Sequence, residues 1–348
     1  GVKSDSTYFN RNNSFFRVAT ASLAREKVLG KAAVLKYGAK YTYNEINADA
    51  MYRYLKGSAW VPSTVSDYDI SYTENIAAAY ATATLRKGRF SAVVGLRGEY
   101  TYTDGKDSDV GQEYFSLFPN ANFSFALDKQ GRHSLVAQYS RSISRPSFWN
   151  LTPNRMQISD YTYQTGNPLL DPAYVNTYSL TGVIAQKYSI TLVVMSQKDA
   201  IKQMIVADEF DPQMLNLTHV NMPILHQYIA TMSLPVTLAK WWTWNTNLIG
   251  GIQEQMLTPS SAKEYNSFAQ WSSSMTFTLP KEFFVDVDYS GFTNVVESNV
   301  EVKAKQSLSL TVKKRIKKAW TLSCMLNELV PRKTKLVFGD TDFTRTLH

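Results

Sequence analysis

Arg-Phe-Ser-Ala-Val-Val-Gly-Leu-Arg-Gly-Glu-Tyr-Thr-Tyr-Thr, residues 89–103, alternates with a period of two. Phe90, Ala92, Val94, Leu96, Gly98, Tyr100 and Tyr102 share one face; Arg89, Ser91, Val93, Gly95, Arg97, Glu99, Thr101 and Thr103 share the other. That is the side-chain pattern of a β-strand with one apolar side. The run is long for a soluble strand, which averages about five or six residues. It suits a tilted strand crossing a bilayer, which needs roughly nine to eleven.

The same division recurs along the chain. Phe115, Leu117, Ala121, Phe123, Phe125 and Leu127 oppose Ser116, Asn120, Asn122 and Ser124. Ala269, Trp271, Met275, Phe277 and Leu279 oppose Gln270, Ser272, Ser274, Thr276 and Thr278. Phe283, Val285, Val287 and Tyr289 oppose Asp286, Asp288 and Ser290, and Leu308, Leu310 and Val312 oppose Ser307, Ser309 and Thr311. The polar faces carry charge, which a water-filled lumen tolerates. The apolar faces begin or end in aromatics such as Tyr100, Tyr102, Trp242, Trp244, Tyr289 and Trp320, as an interfacial girdle requires.

Connection lengths carry a second signal. Short turns are expected at Arg25–Lys31, Arg86–Arg89, Asp128–Arg132, Ala185–Lys187, Thr237–Lys240, Pro280–Glu282 and Lys313–Lys318. Longer connections fall between them, near residues 45–72, 103–112, 144–175, 198–223, 253–266 and 293–303. Short and long alternate strictly, as in outer-membrane barrels with tight periplasmic turns and long outer loops. The expectation is an all-β, antiparallel transmembrane barrel, with about fourteen strands across residues 1–348 as one domain. Ala200–Asn221 reads as an outer hairpin above the membrane, and Lys335–His348 as part of a further strand.

Composition excludes several alternatives. The hydrophobic fraction is 44%, too high for a disordered chain. A net charge of +8 concentrates in the short turns, where a headgroup or solvated role fits and a nucleic-acid partner is not expected. The single cysteine, Cys324, makes an internal disulfide impossible and reads as a small buried or lipid-facing residue. His133, His219, His226 and His348 show no metal-ligand spacing, and no cofactor is expected. No apolar run is long enough for a membrane-spanning helix. No nucleophile–base motif appears, so no enzyme activity is expected. Asp286 and Asp288 could mimic a carboxylate pair but read as lumen-facing charges. Asn216-Leu217-Thr218 matches a glycosylation triplet and reads as idle.

Six segments in order carry a family resemblance: Tyr72–Ala81 (Tyr-Thr-Glu-Asn-Ile-Ala-Ala-Ala-Tyr-Ala), Gly95–Thr103, Leu117–Ser124 (Leu-Phe-Pro-Asn-Ala-Asn-Phe-Ser), Tyr139–Pro153 (Tyr-Ser-Arg-Ser-Ile-Ser-Arg-Pro-Ser-Phe-Trp-Asn-Leu-Thr-Pro), Gly166–Tyr174 (Gly-Asn-Pro-Leu-Leu-Asp-Pro-Ala-Tyr) and Tyr188–Leu192. Together they resemble the outer-membrane β-barrel of TonB-dependent receptors, in particular the Bacteroidetes-type outer membrane protein beta-barrel family. The resemblance implies a barrel of about 22 strands, an internal plug, and TonB-driven import across a bacterial outer membrane. It also implies membrane lipid, lipopolysaccharide, TonB and a small or oligomeric nutrient as partners. No plug segment or TonB box is visible in this chain, Gly1 reads as a cut end, and the chain is expected to be a C-terminal barrel fragment.

The loop from Ser144 to Tyr174 is the candidate ligand surface. Phe148, Trp149, Tyr161 and Tyr163 can stack on a ligand, and Arg145 and Arg155 can pair with anionic groups. Its Arg-Pro and Asn-Pro-Leu-Leu-Asp-Pro runs equally suit rigid turns that guide the chain out of and back into the wall. By that reading ligand choice lies in less patterned loops such as Trp60–Asp69 and Gln253–Lys263. The rival functional reading is a barrel that anchors surface loops for adhesion without transport. A soluble β-sandwich is a third.

Overall fold

A computed structural model describes residues 8–62, 68–106, 111–152, 155–159, 161–208, 213–317, 319–330, 336–339 and 344–347. The first elements are β1 (Tyr8–Leu29), β2 (Ala33–Lys56), β3 (Ala59–Pro62), β4 (Tyr68–Lys87), β5 (Phe90–Lys106), β6 (Gln112–Ala126) and β7 (Ser134–Ser144). A one-turn helix α1 (Phe148–Leu151) follows, then β8 (Met156–Ser159), β9 (Thr162–Gln164), β10 (Ala173–Ile184), β11 (Tyr188–Ala207) and β12 (Leu215–Ala239). The remainder is β13 (Trp242–Met256), β14 (Glu264–Leu279), β15 (Phe283–Phe292), β16 (Val295–Glu297), β17 (Val300–Val302), β18 (Lys305–Ile316), β19 (Trp320–Leu326), β20 (Leu336–Gly339) and β21 (Thr344–Leu347).

Antiparallel ladders join β1, β2, β4, β5, β6, β7, β10, β11, β12, β13, β14, β15, β18 and β19 in that order. This up-and-down wall has the fourteen strands that the turn pattern predicts. All seven expected short turns are hairpin ends, and Gly30, Gly88 and Gly131 take positive φ in three of them. The outer connections are less loop-like than expected, because the strands run on beyond membrane height. β11 and β12 stay paired out to Ala207↔Leu215, which makes Ala200–Asn221 the expected outer hairpin. The strand character expected of Lys335–His348 is present in its described residues, as β20 and β21, but outside the wall. Among its described residues, β20 and β21 join β17 and β16 in a separate four-stranded sheet, because β20 pairs with Val300–Val302 of an outer hairpin.

Cross-strand partners lie on the same side of a sheet, so the ladders fix which residues face lipid. On β5, Leu96 is 50% and Tyr100 44% exposed, whereas Glu99 is 8% and Thr101 0% exposed. The apolar set therefore faces out and the polar set faces the lumen. The outward row continues from strand to strand: Phe277 lies beside Trp242 and Val285, and Val285 beside Val312. Cys324 pairs with Val312, which puts the exposed thiol on the outward side. On the inner side Asp286 accepts hydrogen bonds from Thr276 Oγ1 (2.8 Å) and Lys313 Nζ (3.0 Å), a lumen-facing ion pair and not a carboxylate dyad.

One proline opens the wall. The β6–β7 ladder runs from Ala126↔Ser134 to Asn120↔Ser140 and stops one residue short of Pro119. Proline has no N–H to give a neighbouring strand. Beyond it, β6 keeps its pairing with β5 out to Gln112, while β7 pairs only with β10.

A charge placed on the lipid face should cost far more than one placed in the lumen. Leu96→Arg is expected to lower unfolding stability in liposomes by about 2–4 kcal/mol, the cost of arginine near the bilayer midplane. Asn122→Arg, on the inner side of the same wall, is expected to cost under about 1 kcal/mol. Urea titration of the two variants checks this, and equal losses would contradict the assigned faces.

Candidate functional site

The gap above Pro119 is filled by the segment that joins β7 to β10. Pro146 ends the strand and Ser147 caps α1, its hydroxyl accepting from the Asn150 N–H (3.3 Å). This turn of helix lies against the inner wall. Phe148 and Leu151 are buried with Ala48, Tyr72 and Leu170. Tyr72 sits on the inward side of β4, two residues from Glu74, whose partner is Thr103. Gly166 approaches the backbone of Asn150 and Thr152 so closely that a Cβ there would strike their carbonyls. Its N–H donates to Thr152 O (2.8 Å).

Arg145 is the hub. Its Nη2 donates to Glu99 Oε2 (2.5 Å) and Thr101 Oγ1 (3.1 Å), its Nε donates to Tyr114 OH (3.1 Å), and Glu74 Oε1 lies 4.0 Å away. Glu99 also pairs with Arg97 at 2.5 Å. Further along, Gln112 Nε2 donates to Leu170 O (2.7 Å), and Ser116 shares a hydrogen bond with Tyr174 OH (2.6 Å). Side chains here do the bridging between β6 and its neighbours that backbone groups do elsewhere.

The far side of the segment is tied to β12. Asn221 accepts from the Asp171 N–H (2.8 Å) and donates to the carbonyls of Asp171 (2.9 Å) and Asp199 (2.8 Å). Asn167 Nδ2 reaches His219 O (3.1 Å), and β9 adds a short parallel ladder to Leu215–Leu217. Thr165 donates to Asn216 Oδ1 (3.0 Å), so the side chain of the glycosylation triplet is engaged internally. The segment thus spans the inner wall from β4 to β12.

A second segment folds in from the opposite side. The hairpin β16–β17 lies over β13, where Gln253 Nε2 donates to Val296 O (3.1 Å) and Gln255 Nε2 to Ser298 O (3.0 Å). Asn299 makes a two-way amide contact with β11, donating to Ile205 O (2.6 Å) and accepting from Ile205 N (3.2 Å). Lys202 and Glu297 pair at 2.9 Å across the same contact. The two segments meet on β12, the first at Asn221 and the second at Met222, which packs under Ser298.

The six ligand candidates divide. Arg145, Phe148 and Tyr163 are committed to holding the segment. Tyr163 is buried, with its hydroxyl donating to Asp208; burial and that carboxylate push its phenol up to about 12. Arg155 stacks on the Tyr163 ring (3.5 Å) and lies 3.8 Å from Asp208. Trp149 and Tyr161 are 45% and 61% exposed. In the loop Trp60–Asp69, residues 63–67 lie outside the described residues. At Gln253–Lys263, Gln253, Glu254 and Gln255 are buried in the wall. Among the described residues no group of His, Cys, Asp or Glu is arranged to hold a metal ion. The holding roles of Asn221, Asn299, Asp208 and the Gln253/Gln255 pair were invisible to sequence reasoning, which placed Gln253 and Gln255 in a loop of ligand choice. Their one signal is an amide or acid at the outer end of a strand or just beyond it: Asn221, Gln253 and Gln255 lie in β12 and β13, Asp208 follows β11, and Asn299 lies between β16 and β17.

Residues 2–344 match the model of the Outer membrane protein beta-barrel family. The chain belongs to that family. It is therefore a β-barrel protein of the bacterial outer membrane. Solved structures share this fold at low identity. The copper transporter OprC superposes with a TM-score of 0.68 at 12% identity, over 91% of this chain and 51% of that one. A mutant ferric enterobactin receptor (PfeA) of Pseudomonas aeruginosa, in complex with enterobactin, gives 0.62 at 14%, over 92% and 49%. The ferric yersiniabactin uptake receptor FyuA of Yersinia pestis gives 0.62 at 10%, over 97% and 52%. The barrel spans about half the length of these structures. No curated protein matches it.

Removing Arg145 leaves Glu99 buried with Arg97 as its remaining cationic partner. Arg145→Leu is expected to cost about 3–5 kcal/mol, the range for breaking a buried pair from one side. Limited proteolysis should then cut within 145–172 while the wall strands stay protected. Uncut 145–172 in a folded variant would show that the ion pair does not hold the segment.

Proposed function

We propose that the chain forms part of a TonB-dependent receptor that captures a scarce solute at its outer mouth and passes it through the lumen. In this reading a plug domain gates the pore and TonB supplies the work. No bond is made or broken in the solute. The observation that carries the reading is the mouth itself: two inward-folded segments, both tied to β12, stand over a lumen lined with charge. A polar lumen is general to such barrels; segments that fold inward over it, and do not project outward as adhesive loops would, suit a conduit. The two outermost wall strands, β1 and β19, are exposed on both sides wherever they are described. Lipid does not tolerate open edges, so the reading includes further strands that complete the wall.

Ligand contact falls to Trp149 and Tyr161, with Arg155 as the charged partner, because Arg145, Phe148 and Tyr163 are consumed in holding the segment. The lipid and lipopolysaccharide around the wall are part of the same proposal.

The test is uptake in cells that carry the intact protein. Deletion of the gene is expected to abolish accumulation of at least one labelled solute in a panel of ferric siderophores, copper and oligosaccharides, and loss of TonB should give the same defect. Trp149→Ala with Tyr161→Ala should weaken uptake about tenfold or more, since each aromatic ring stacked on a solute is worth roughly 1–3 kcal/mol. Solute binding at the cell surface that survives TonB loss, with no accumulation in any strain, would favour the adhesion reading.

A further inference from the structure

The chain's net positive charge comes from the segments of one rim. Residues 25–36, 86–90, 127–133, 184–188, 238–242, 279–283 and 313–319 hold the seven short turns and contain seventeen Lys and Arg against three Asp and Glu. The rest of the chain has twenty of the first kind and twenty-six of the second. The net +8 is thus wholly a property of the short-turn end, and everything beyond it is net acidic.

This rim is also aromatic on its lipid-facing side. Trp242 stacks on Phe277 (5.6 Å) and Trp241 on both. Lys314 is the most telling residue. Its ladder partners are Phe283 and Leu322, and Phe283 in turn lies beside Leu279, so its neighbours across the sheet are apolar and outward. Its ammonium lies 4.3 Å from the Phe283 ring and donates to the Lys281 carbonyl. Arg89 stands over Phe125 (5.3 Å) and Lys187 over Tyr188 (5.4 Å) in the same way. Of the seventeen, Lys36, Arg132 and Lys313 have carboxylate partners; no ion pair is found for Arg89, Lys187, Lys314 or Arg315 among the described residues. Cations laid over interfacial rings, with stems along apolar surface, stand where lipid phosphates sit.

We infer that the short-turn rim is a binding belt for anionic phospholipid headgroups in the leaflet on that side. The ligand is a phosphodiester with net negative charge, held by several lysines and arginines at once while its acyl chains lie against the aromatic band. Short turns face the periplasm, so the lipid comes from the phospholipid leaflet and not from lipid A on the opposite side. The inference rests on the placement in the outer membrane and not on transport.

The test uses the intact protein, purified in mild detergent and titrated with phosphatidylcholine, phosphatidylglycerol or lipid A, each with brominated acyl chains. Trp241, Trp242 and Trp320 lie at this rim and report bound lipid by quenching. The expected result is quenching by phosphatidylglycerol at about fivefold or lower mole fraction than by phosphatidylcholine, with the difference lost at high salt. Combined Arg89→Gln, Lys187→Gln, Lys314→Gln and Arg315→Gln should remove it, whereas Lys56→Gln on the long-loop side should not. Equal quenching by the two phospholipids overturns the belt, as does a preference untouched by salt or by the four substitutions. Tighter quenching by lipid A than by phosphatidylglycerol overturns the choice of leaflet. The salt dependence of the unmodified protein decides the matter even where the fourfold variant fails to fold.

Discussion

Hydrocarbon cannot hydrogen-bond to a peptide group, and the rest of this structure follows from that. Each wall strand from β2 to β18 must find a partner on both sides across the membrane, which dictates long antiparallel ladders joined in chain order. The same rule explains where the wall is allowed to open. Pro119 ends the β6–β7 ladder, and the opening lies on the long-loop side, where Arg145, Gln112, Ser116 and Tyr174 supply polar contacts in place of backbone pairs.

The mouth is built on different physics. Its segments are held by ion pairs and amide side chains that grip backbone groups, Asn221 and Asn299 above all. Arg145 binds Glu99 where both side chains are largely withdrawn from water, so its loss is felt more than that of an exposed pair. Such contacts fix a loop at one point while leaving neighbouring side chains such as Trp149 and Tyr161 exposed. The arrangement separates residues that position the loop from residues that present a surface to solvent.

Legibility differed between these regions for a physical reason. The alternation at Arg89–Thr103 stated which face of β5 meets lipid, and the seven turns stated the strand number, because lipid on one side and water on the other impose a strict period. The motif Ser-Ile-Ser-Arg-Pro-Ser-Phe-Trp marked a place where a strand ends, yet its composition suggested ligand stacking and charge pairing. Folding used Phe148 as core, Arg145 as an internal ion pair and Tyr163 as a donor to Asp208. No local pattern distinguishes an arginine that waits for a ligand from one whose carboxylate lies 46 residues earlier in the chain. Lys335–His348 shows the same limit: its strand character was readable, its pairing with an outer hairpin was not.

The sequence by itself determined the all-β class, the strand number, the lipid and lumen faces and the basic rim, since each depends on residues near one another or on a repeat imposed by the bilayer. The tertiary structure alone decided how the mouth is filled. That outcome depends on contacts between β4, β5, β11, β12 and β13 and two segments that are distant in sequence. Which side chains are consumed and which stay exposed is settled only when those partners meet.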